Sequence, residues 1–362
     1  MTASRHVVRQ IFAALLVVTI AVACGGSAAP SADSGSKPVT KVKMAIAVAV
    51  PDPGQVFVFA PTGFGFYKKE GLDVEIVTNS GGGAALQQVV TGNADFALSS
   101  PENFINGVAS GMDLKAVATI ITTSIYSVGV LSGSPINSYS QLKGKKVGVS
   151  AFTSGAYPFA QAALAENGLD PKKDVSFVIT GSGGPAADAL KTGKVDVLVT
   201  TDTQWAIFKT LGVTPTYLSR PIAGKLPADQ IVTKSETLAK NPDLVTRFVR
   251  ATLEGIIAAD ANPSKAIDMY IAQYPDASGA QSKAANQTIM QARLVNMRLI
   301  PEQNGKYGYI PVALYQQVQD AGTKYGTIKT PQDLTKLMDN SLSSKYSTFD
   351  SAKVAAEAKA FK

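Results

Sequence analysis

The sequence predicts an α/β protein with two similar lobes, each built around a parallel sheet. Three passages of the chain recur in the same order 101 residues later: 73–77 at 174–178, 82–83 at 183–184, and 91–95 at 192–196. Each copy contains an apolar strand, a glycine-rich turn, a helix closed by glycine and a second apolar strand, which is the order of a βαβ unit. Two copies of one folding unit predict two lobes.

Hydroxyl side chains follow the second strand of each copy. Ser99-Ser100 come after one strand and Thr200-Thr201 after its counterpart. Because open α/β sheets bind ligands at the carboxyl ends of their strands, we expect the two pairs to face each other across a cleft. Duplicated βαβ units also occur in enzymes and in purely structural folds, so the repeat alone does not choose between these classes.

Residues 1–23 predict a signal peptide. Basic residues precede an apolar run of about 12 residues at 11–22, whereas a bilayer-spanning helix needs roughly 20. The run ends in small residues before Cys24, the only cysteine. Cys24 resembles the lipid-modified first residue of a bacterial lipoprotein, with Ala21 where that motif usually has a larger aliphatic residue. An ordinary secreted protein, cut nearby, is the alternative.

Residues 24–40 predict a flexible tether, because they are Gly, Ser, Ala and Pro with little to bury. The tether would hold a globular part outside the cytoplasm, at the membrane surface. The roughly 320 residues that follow are more than one core usually fills. We therefore predict a first lobe of residues 41–126 and 217–362 and a second lobe of residues 127–216, with no later segment apolar enough to cross a bilayer.

Composition excludes several chemistries. The only histidine, His6, lies in the segment predicted to be removed, so the mature chain has no Ser-His-Asp or Cys-His nucleophile and no His/Cys zinc site. Loss of Arg5 and Arg9 leaves 32 basic against 27 acidic residues, a net charge of +5. The lysine clusters are typical of a solvated surface. We expect a monomer with no cofactor, no metal and no nucleic-acid partner.

Local patterns predict further elements. The apolar residues 44–50 predict the first strand, which ends in a loop at Pro51-Asp52-Pro53-Gly54. Asn241 followed by Pro242 predicts a capped helix over 244–259, and a similar start at 330–334 predicts the last helix. We expect the chain to cross between the lobes near Tyr126 and to return near Thr216.

Two glycine-containing turns are candidate ligand contacts. At Ser80-Gly81-Gly82-Gly83 a ligand could approach the backbone, and the following helix start offers N–H groups that suit anions or polar oxygens. Thr153-Ser154-Gly155 has the same chemistry with two added hydroxyls. The alternatives are a tight strand-to-helix connection at the first turn and helix capping by Thr153 or Ser154 at the second.

Aromatic and acidic residues near the strand ends are weaker candidates. Aromatic faces there could sandwich a ring or alkyl group, or could belong to the core. Glu102 and Asp202 could accept hydrogen bonds from an amine or amidine, or could cap the next helices. The aromatic candidates are Phe57, Tyr126, Tyr157 and Trp205.

An ordered series of segments resembles one protein family. These segments are 67–77, 80–86, 92–96, 142–149 and 193–196. They look like the nitrate, sulfonate, taurine and thiamine-precursor group of ABC-importer substrate-binding proteins, over about residues 41–275. The resemblance implies a bilobal periplasmic-binding-protein fold of type 2, with two doubly wound sheets joined by two crossover strands. It also implies a small-molecule ligand and an ABC permease with its ATPase as partners.

The resemblance adds the loop after the first strand and the segment after the second repeat strand to the contacts. That loop reads Val50-Pro51-Asp52-Pro53 where the family usually has Trp-x-Pro-Asn, which disfavours the thiamine-pyrimidine branch. The mature chain also lacks the histidine of relatives that make this pyrimidine. The full set of predicted ligand contacts is Asp52, Phe57, Ser80, Gly81, Gly82, Gly83, Ser99, Ser100, Pro101, Tyr126, Thr153, Ser154, Gly155, Tyr157, Thr201, Asp202 and Trp205.

The sequence thus favours a membrane-tethered receptor for a compact ligand. We expect an anionic or strongly accepting head held by helix N-termini, and an apolar or aromatic body against Phe57, Tyr157 or Trp205. Sulfonates, aromatic carboxylates, oxyanions and pyrimidines fit this description. An enzyme on the same fold, such as a lyase using Asp202 or Glu102 as acid or base, is the alternative. A sensor subunit that presents its ligand to a receptor kinase is the third hypothesis.

Overall fold

The structure is a computed structural model that describes residues 39–361, apart from Arg220 and Ala280. The predicted signal peptide, the predicted lipidation site Cys24 and the predicted tether as far as Pro38 lie outside the described residues. None of the helices in the described part of the chain has the length and hydropathy needed to span a bilayer.

Strands and helices alternate through most of these residues. The strands are β1 Thr40–Ile46, β2 Leu72–Thr78, β3 Phe96–Ser99, β4 Leu114–Ile121, β5 Tyr126–Leu131, β6 Lys146–Val149, β7 Ser176–Ile179, β8 Val197–Thr201, β9 Pro215–Tyr217 and β10 Asp229–Lys234. The α-helices are α1 Val56–Gly63, α2 Phe66–Lys69, α3 Gly82–Val90, α4 Pro101–Ala109, α5 Ala156–Glu166, α6 Gly184–Lys191, α7 Asp202–Thr210, α8 Ser235–Lys240, α9 Pro242–Ala261, α10 Pro263–Gln273, α11 Pro275–Ser278, α12 Lys283–Leu294, α13 Val312–Lys324, α14 Leu334–Leu337, α15 Ser343–Tyr346 and α16 Ser351–Ala360. Short 3₁₀ turns cover Tyr139–Leu142, Ile222–Lys225, Val295–Met297 and Pro301–Gln303.

Each lobe is built on a five-stranded mixed sheet, and the two strand orders are equivalent. The order is β2-β1-β3-β10-β4 in the first sheet and β7-β6-β8-β5-β9 in the second. The first three strands of each sheet are parallel, and the fourth runs antiparallel to both neighbours. The chain passes to the second sheet between β4 and β5 and returns between β9 and β10. The two-lobed α/β architecture predicted from the repeat is confirmed.

The repeated Gly-x-Ala/Val-Asp segment fixes the register of neighbouring parallel strands in each lobe. The Asp95 carboxylate accepts a hydrogen bond from the Lys43 amide at 2.8 Å, and the Asp95 amide donates to the Lys43 carbonyl at 2.8 Å. Asp196 makes the same two bonds to Lys146, at 2.8 and 2.9 Å. The aspartate of each copy is therefore a structural clamp on the strand beside it.

Three local expectations differ from the structure. The first strand ends at Ile46 rather than residue 50, because 47–50 leave the sheet and turn toward the space between the lobes. The start at 330–334 leads to a single turn, α14, and the last described helix is α16. Strand β10 was not predicted from the sequence, and its residues Ile231 and Val232 are fully buried between β3 and β4.

Helix α12 packs on both lobes. Its Ile289 belongs to the apolar cluster of the second lobe that contains Trp205 and Phe208. Met290 and Leu294, on another face of the same helix, belong to the large cluster of the first lobe. One helix therefore contributes to two hydrophobic cores, and its polar residues lie where the lobes meet.

Candidate ligand-binding site

A cavity of about 300 Å³ lies between the two lobes. Its walls are formed by the segments after β1, β2 and β3 of the first sheet and after β6, β7 and β8 of the second. The volume is at the lower end of the range for pockets that hold small organic molecules. The carboxyl ends of both sheets therefore face one shared space, as the two hydroxyl pairs predicted.

About half of the predicted contact residues line this cavity. They come from both lobes and include hydroxyls, glycines, one carboxylate and two aromatic rings. These lining residues are Asp52, Phe57, Ser80, Gly82, Ser100, Tyr126, Ser154, Gly155 and Thr201.

Three predicted residues lie beside the cavity, where the lobes touch. The Thr153 carbonyl of the second lobe accepts hydrogen bonds from the Gly83 amide at 3.4 Å and from Asn103 Nδ2 at 3.2 Å. A Cβ atom on Gly81 would lie 2.5 Å from the same carbonyl oxygen. Gly81 thus permits close approach of the two lobes, whereas Gly82 of the same turn lines the cavity.

Four other predicted residues lie away from the cavity wall. Trp205 is 2% exposed, and its ring makes edge contacts with Phe208 and Tyr217 inside the second lobe. Tyr157 packs against Phe152 and Phe177. Ser99 is buried in β3, and Pro101 is the first residue of α4. The interpretation of Trp205 as core, which the sequence left open, is the one that the packing supports.

Asp202 lies behind the wall, in a buried ion pair that sequence reasoning missed. Arg293 of α12 donates to its carboxylate from Nε at 3.0 and 3.1 Å and from Nη2 at 2.8 Å, and Asn296 Nδ2 adds a bond of 2.7 Å. The two paired side chains are 4% and 14% exposed. Burial alone would lower the pKa of Arg293, but the Asp202 carboxylate outweighs it, and the net pKa is raised.

Asp52 joins the loop after β1 to the second lobe. Its carboxylate accepts from the Gly54 amide at 2.7 Å, from Gln204 Nε2 at 3.2 Å and from Thr203 Oγ1 at 3.4 Å. Burial raises the pKa of Asp52, and the nearby Arg293 opposes that rise. The carboxylate therefore serves as a lobe-to-lobe hydrogen-bond acceptor as well as a part of the wall.

Asp229, the first residue of β10, is a lining residue that sequence reasoning also missed. It is 7% exposed, and burial raises the pKa of its carboxyl to about 7, with Arg293 opposing and Glu102 and Asp202 adding to the rise. Its signal in the sequence was a single acid between Pro227-Ala228 and the apolar residues of β10. Among the described residues, no group of three or more His, Cys, Asp or Glu side chains could hold a metal ion.

Comparison with known proteins identifies the family. Residues 56–266 match the family model described as NMT1/THI5 like. The chain belongs to the NMT1/THI5-like family. The predicted resemblance is thereby confirmed over more than half of the chain.

Individual relatives have low sequence identity to this chain but align with most of its length. The riboflavin-binding protein RibY of Chloroflexus aurantiacus is 23% identical over 280 residues, which cover 76% of this chain and 78% of RibY. The alkanesulfonate-binding protein SsuA of Xanthomonas axonopodis pv. citri, solved bound to MOPS, superposes with a TM-score of 0.65 at 14% identity, covering 84% of this chain and 100% of SsuA.

A Candida albicans protein described as having the generic periplasmic binding protein fold is 18% identical. It gives a TM-score of 0.62 and covers 83% of this chain and 97% of its own. These likenesses confirm the periplasmic-binding-protein fold that the sequence predicted.

Proposed function

We propose that this protein is the extracytoplasmic substrate-binding component of an ABC importer. The observation that carries the proposal is the cavity of about 300 Å³ whose walls come from the strand ends of both lobes. Family membership and the fold support the same role. In this proposal the lobes, residues 41–126 with 217–362 and residues 127–216, hinge near Tyr126 and Thr216 as they close on the ligand.

The ligand in this proposal is a small organic molecule with a ring or alkyl body. Tyr126 offers an aromatic surface in the cavity wall, Phe57 is buried directly behind that wall, and Ser100, Ser154 and Thr201 offer hydroxyls. Sulfonates, aromatic carboxylates, oxyanions and pyrimidines remain candidates. The name of RibY adds riboflavin to them.

Lipid attachment at Cys24 would hold the receptor at the outer face of the cell membrane, close to its permease. In the native host, a Cys24→Ala variant would then appear in the soluble extracytoplasmic fraction, whereas the parent protein would sediment with membranes. Sedimentation of both proteins with membranes would contradict the lipid anchor.

An enzyme on this fold is the second candidate function. The environments of Asp202 and Glu102, the two side chains that would act as acid or base, argue against it. Asp202 is held by Arg293 and Asn296 behind the wall, and Glu102 does not line the main cavity. Chemical turnover of a bound molecule by the purified protein would reverse this ranking. Co-purification with a receptor kinase instead of a permease would favour the sensor hypothesis.

Thermal unfolding in the presence of candidate ligands tests the binding function. A ligand that binds only the folded protein raises Tm with concentration, by an amount set by the ratio of its concentration to Kd. We expect at least one member of a panel of sulfonates, aromatic carboxylates, oxyanions, pyrimidines and flavins to do so. If none of them shifts Tm at millimolar concentration, the proposed ligand classes are wrong.

A further inference from the structure

The Asp229 carboxyl has an unusual environment in the cavity wall. It is 93% buried at the start of the central antiparallel strand β10, and it lines the space between the lobes. Within the described residues, no side chain or backbone group donates a hydrogen bond to it. A buried carboxyl without a donor is costly, and such groups are uncommon in folded proteins. A donor supplied by a ligand would remove that cost.

The other charged groups of the cavity are already committed to partners. Arg293 directs Nε and Nη2 at Asp202, which also accepts from Asn296. Asp52 accepts from Gly54, Thr203 and Gln204. The single arginine is therefore neutralised by Asp202, and Asp52 and Asp229 leave the wall with an excess of negative charge. An anionic ligand would be repelled by these carboxylates.

Four backbone amides at helix starts around the cavity are also committed. The Asn103 amide donates to Ser100 Oγ at 3.4 Å in α4, and the Gln204 amide donates to Thr201 Oγ1 at 3.3 Å in α7. The amide of Gly183, which caps α6, donates to Gln204 Oε1 at 2.7 Å. In α3 the Gly83 amide faces the Thr153 carbonyl. These four amides are therefore not free to bind an anionic head, which was the mode expected from the sequence.

We propose that Asp229 anchors the ligand by accepting a hydrogen bond from a ligand N–H or O–H group. The site then selects an uncharged or cationic ring compound that bears such a donor, and it discriminates against sulfonates, carboxylates and oxyanions. Tyr126 lies in the same wall and supplies an aromatic surface for the ring, and Phe57 is packed in the core behind it. This inference rests on the proposed binding function and narrows its ligand class.

Two matched pairs of probes test the selectivity by titration calorimetry at pH 7.5. Benzenesulfonamide and benzenesulfonate share a ring and differ in an NH₂ donor against a negative oxygen. Riboflavin and riboflavin 5′-phosphate share a ring system and differ in the phosphate. We expect the wild-type protein to bind the uncharged member of at least one pair at least tenfold more tightly than its anionic partner.

The Asp229→Asn variant tests whether this residue causes the preference. It keeps the side-chain shape and removes the charge, so the ratio between the two affinities should fall at least tenfold. Asp188→Asn is the matched control, because Asp188 lies exposed on α6 and outside the cavity wall. The control variant should keep the wild-type ratio.

The outcomes separate the inference from the proposed function. Binding of the anionic members as tightly as the uncharged ones, or an unchanged ratio in Asp229→Asn, would overturn the role of Asp229 and leave the receptor function in place. Failure of the wild-type protein to bind any of the four probes would overturn the ring-compound ligand class and with it this inference, whereas the thermal-unfolding panel judges the receptor function separately. The wild-type ratio tests the ligand class even if Asp229→Asn does not fold.

Discussion

The two copies of the repeat share their framework and differ in what they present to the cavity. Asp95 and Asp196 make the same strand clamp, and Ser100 and Thr201 both cap the helix that follows. The residues two positions after these caps differ. Glu102 corresponds to Thr203 by the 101-residue displacement, and only Thr203 lines the cavity between the lobes. Repetition here preserves the residues that hold the fold, and the ligand-facing chemistry differs between lobes.

The carboxylates of the cavity follow the same division. Asp52 precedes the first copy of the repeat, and Asp229 and Arg293 follow the second. The second lobe contributes mostly hydroxyls and glycines, such as Ser154, Gly155 and Thr201. The first lobe together with helix α12 therefore supplies the charged groups of the wall, and the second lobe supplies a neutral polar surface.

The largest expected effect tests the equivalence of Phe104 and Trp205, which the repeat places at matching positions. Both are buried, at 0% and 2% exposure. Replacement of either residue by Ala should lower the free energy of unfolding by about 3–5 kcal/mol, because each leaves a large void. Urea unfolding followed by circular dichroism measures this. A small loss of stability in Trp205→Ala together with lost ligand binding would show that the two positions are not equivalent.

The second prediction concerns the ion pair between Asp202 of the second lobe and Arg293 of α12, since the repeat places Pro101 at the matching position of the first lobe. Arg293→Met should lower the free energy of unfolding by about 3 kcal/mol, because a buried carboxylate loses its partner. The effect should be at the lower end of the usual range, since Asp202 keeps donors from Asn296 and the Thr203 amide, both at 2.7 Å. Addition of Asp202→Asn should recover part of the loss. A double variant as unstable as Arg293→Met would contradict this account.

The third prediction concerns the pH dependence of stability. The carboxyl of Asp229 in the first-lobe wall should change the free energy of unfolding with pH, whereas the neutral wall of the second lobe should not. The pKa of Asp229 is raised from its ordinary 3.8 to about 7 in the folded protein. Between these values the folded state holds a proton that the unfolded chain has released, so this group makes stability fall as pH rises toward 7. Above pH 7 the full penalty is present.

Asp229→Asn removes this penalty. The pKa difference sets a ceiling of roughly 4 kcal/mol, and we expect the variant to be about 2 kcal/mol more stable than wild type at pH 8 and equal to it below pH 4. Urea unfolding at both pH values checks the sign. Asp188→Asn should show no such difference, and a gain for Asp229→Asn at pH 4 as large as at pH 8 would exclude titration as its cause.

The smallest expected effect concerns the contact between the lobes. Gly81→Ala places a Cβ 2.5 Å from the Thr153 carbonyl oxygen, whereas Gly83→Ala places one at 3.8 Å, an ordinary contact. Overpacking typically costs about 1–3 kcal/mol, so Gly81→Ala should weaken ligand binding roughly tenfold through poorer closure. Gly83→Ala should bind like wild type. Equal affinities for all three proteins would mean that this contact does not govern closure.

Much of the fold was predictable because it depends on local and repeated patterns. The displaced passages predicted two βαβ units, and Gly71, in the left-handed region at φ 69°, ends α2 as its position before an apolar strand indicated. Strand β10 was missed because it lies outside both copies. Its pairing with β3 and β4 joins residues far apart in the chain.

The candidate site was predictable only where it follows from strand ends. The position of Ser100 and Thr201 after a strand placed them in the wall, but the direction of an aromatic side chain depends on packing, as Trp205 shows. Arg293 gave one usable signal. It is a charged residue four positions after Ile289 and three after Met290, which are both fully buried, and a charged residue beside them needs a buried partner.

Helix α12 constrains how the molecule can move. If the lobes separate, this helix can remain packed on only one of them. Separation therefore exposes either Ile289 or the face with Met290 and Leu294. Water would then contact apolar surface that is buried in the closed form, so the open conformation should be short-lived. Packing of α12 on both lobes therefore favours the closed form, so that a bound ligand has to contribute only a small part of the free energy of closure.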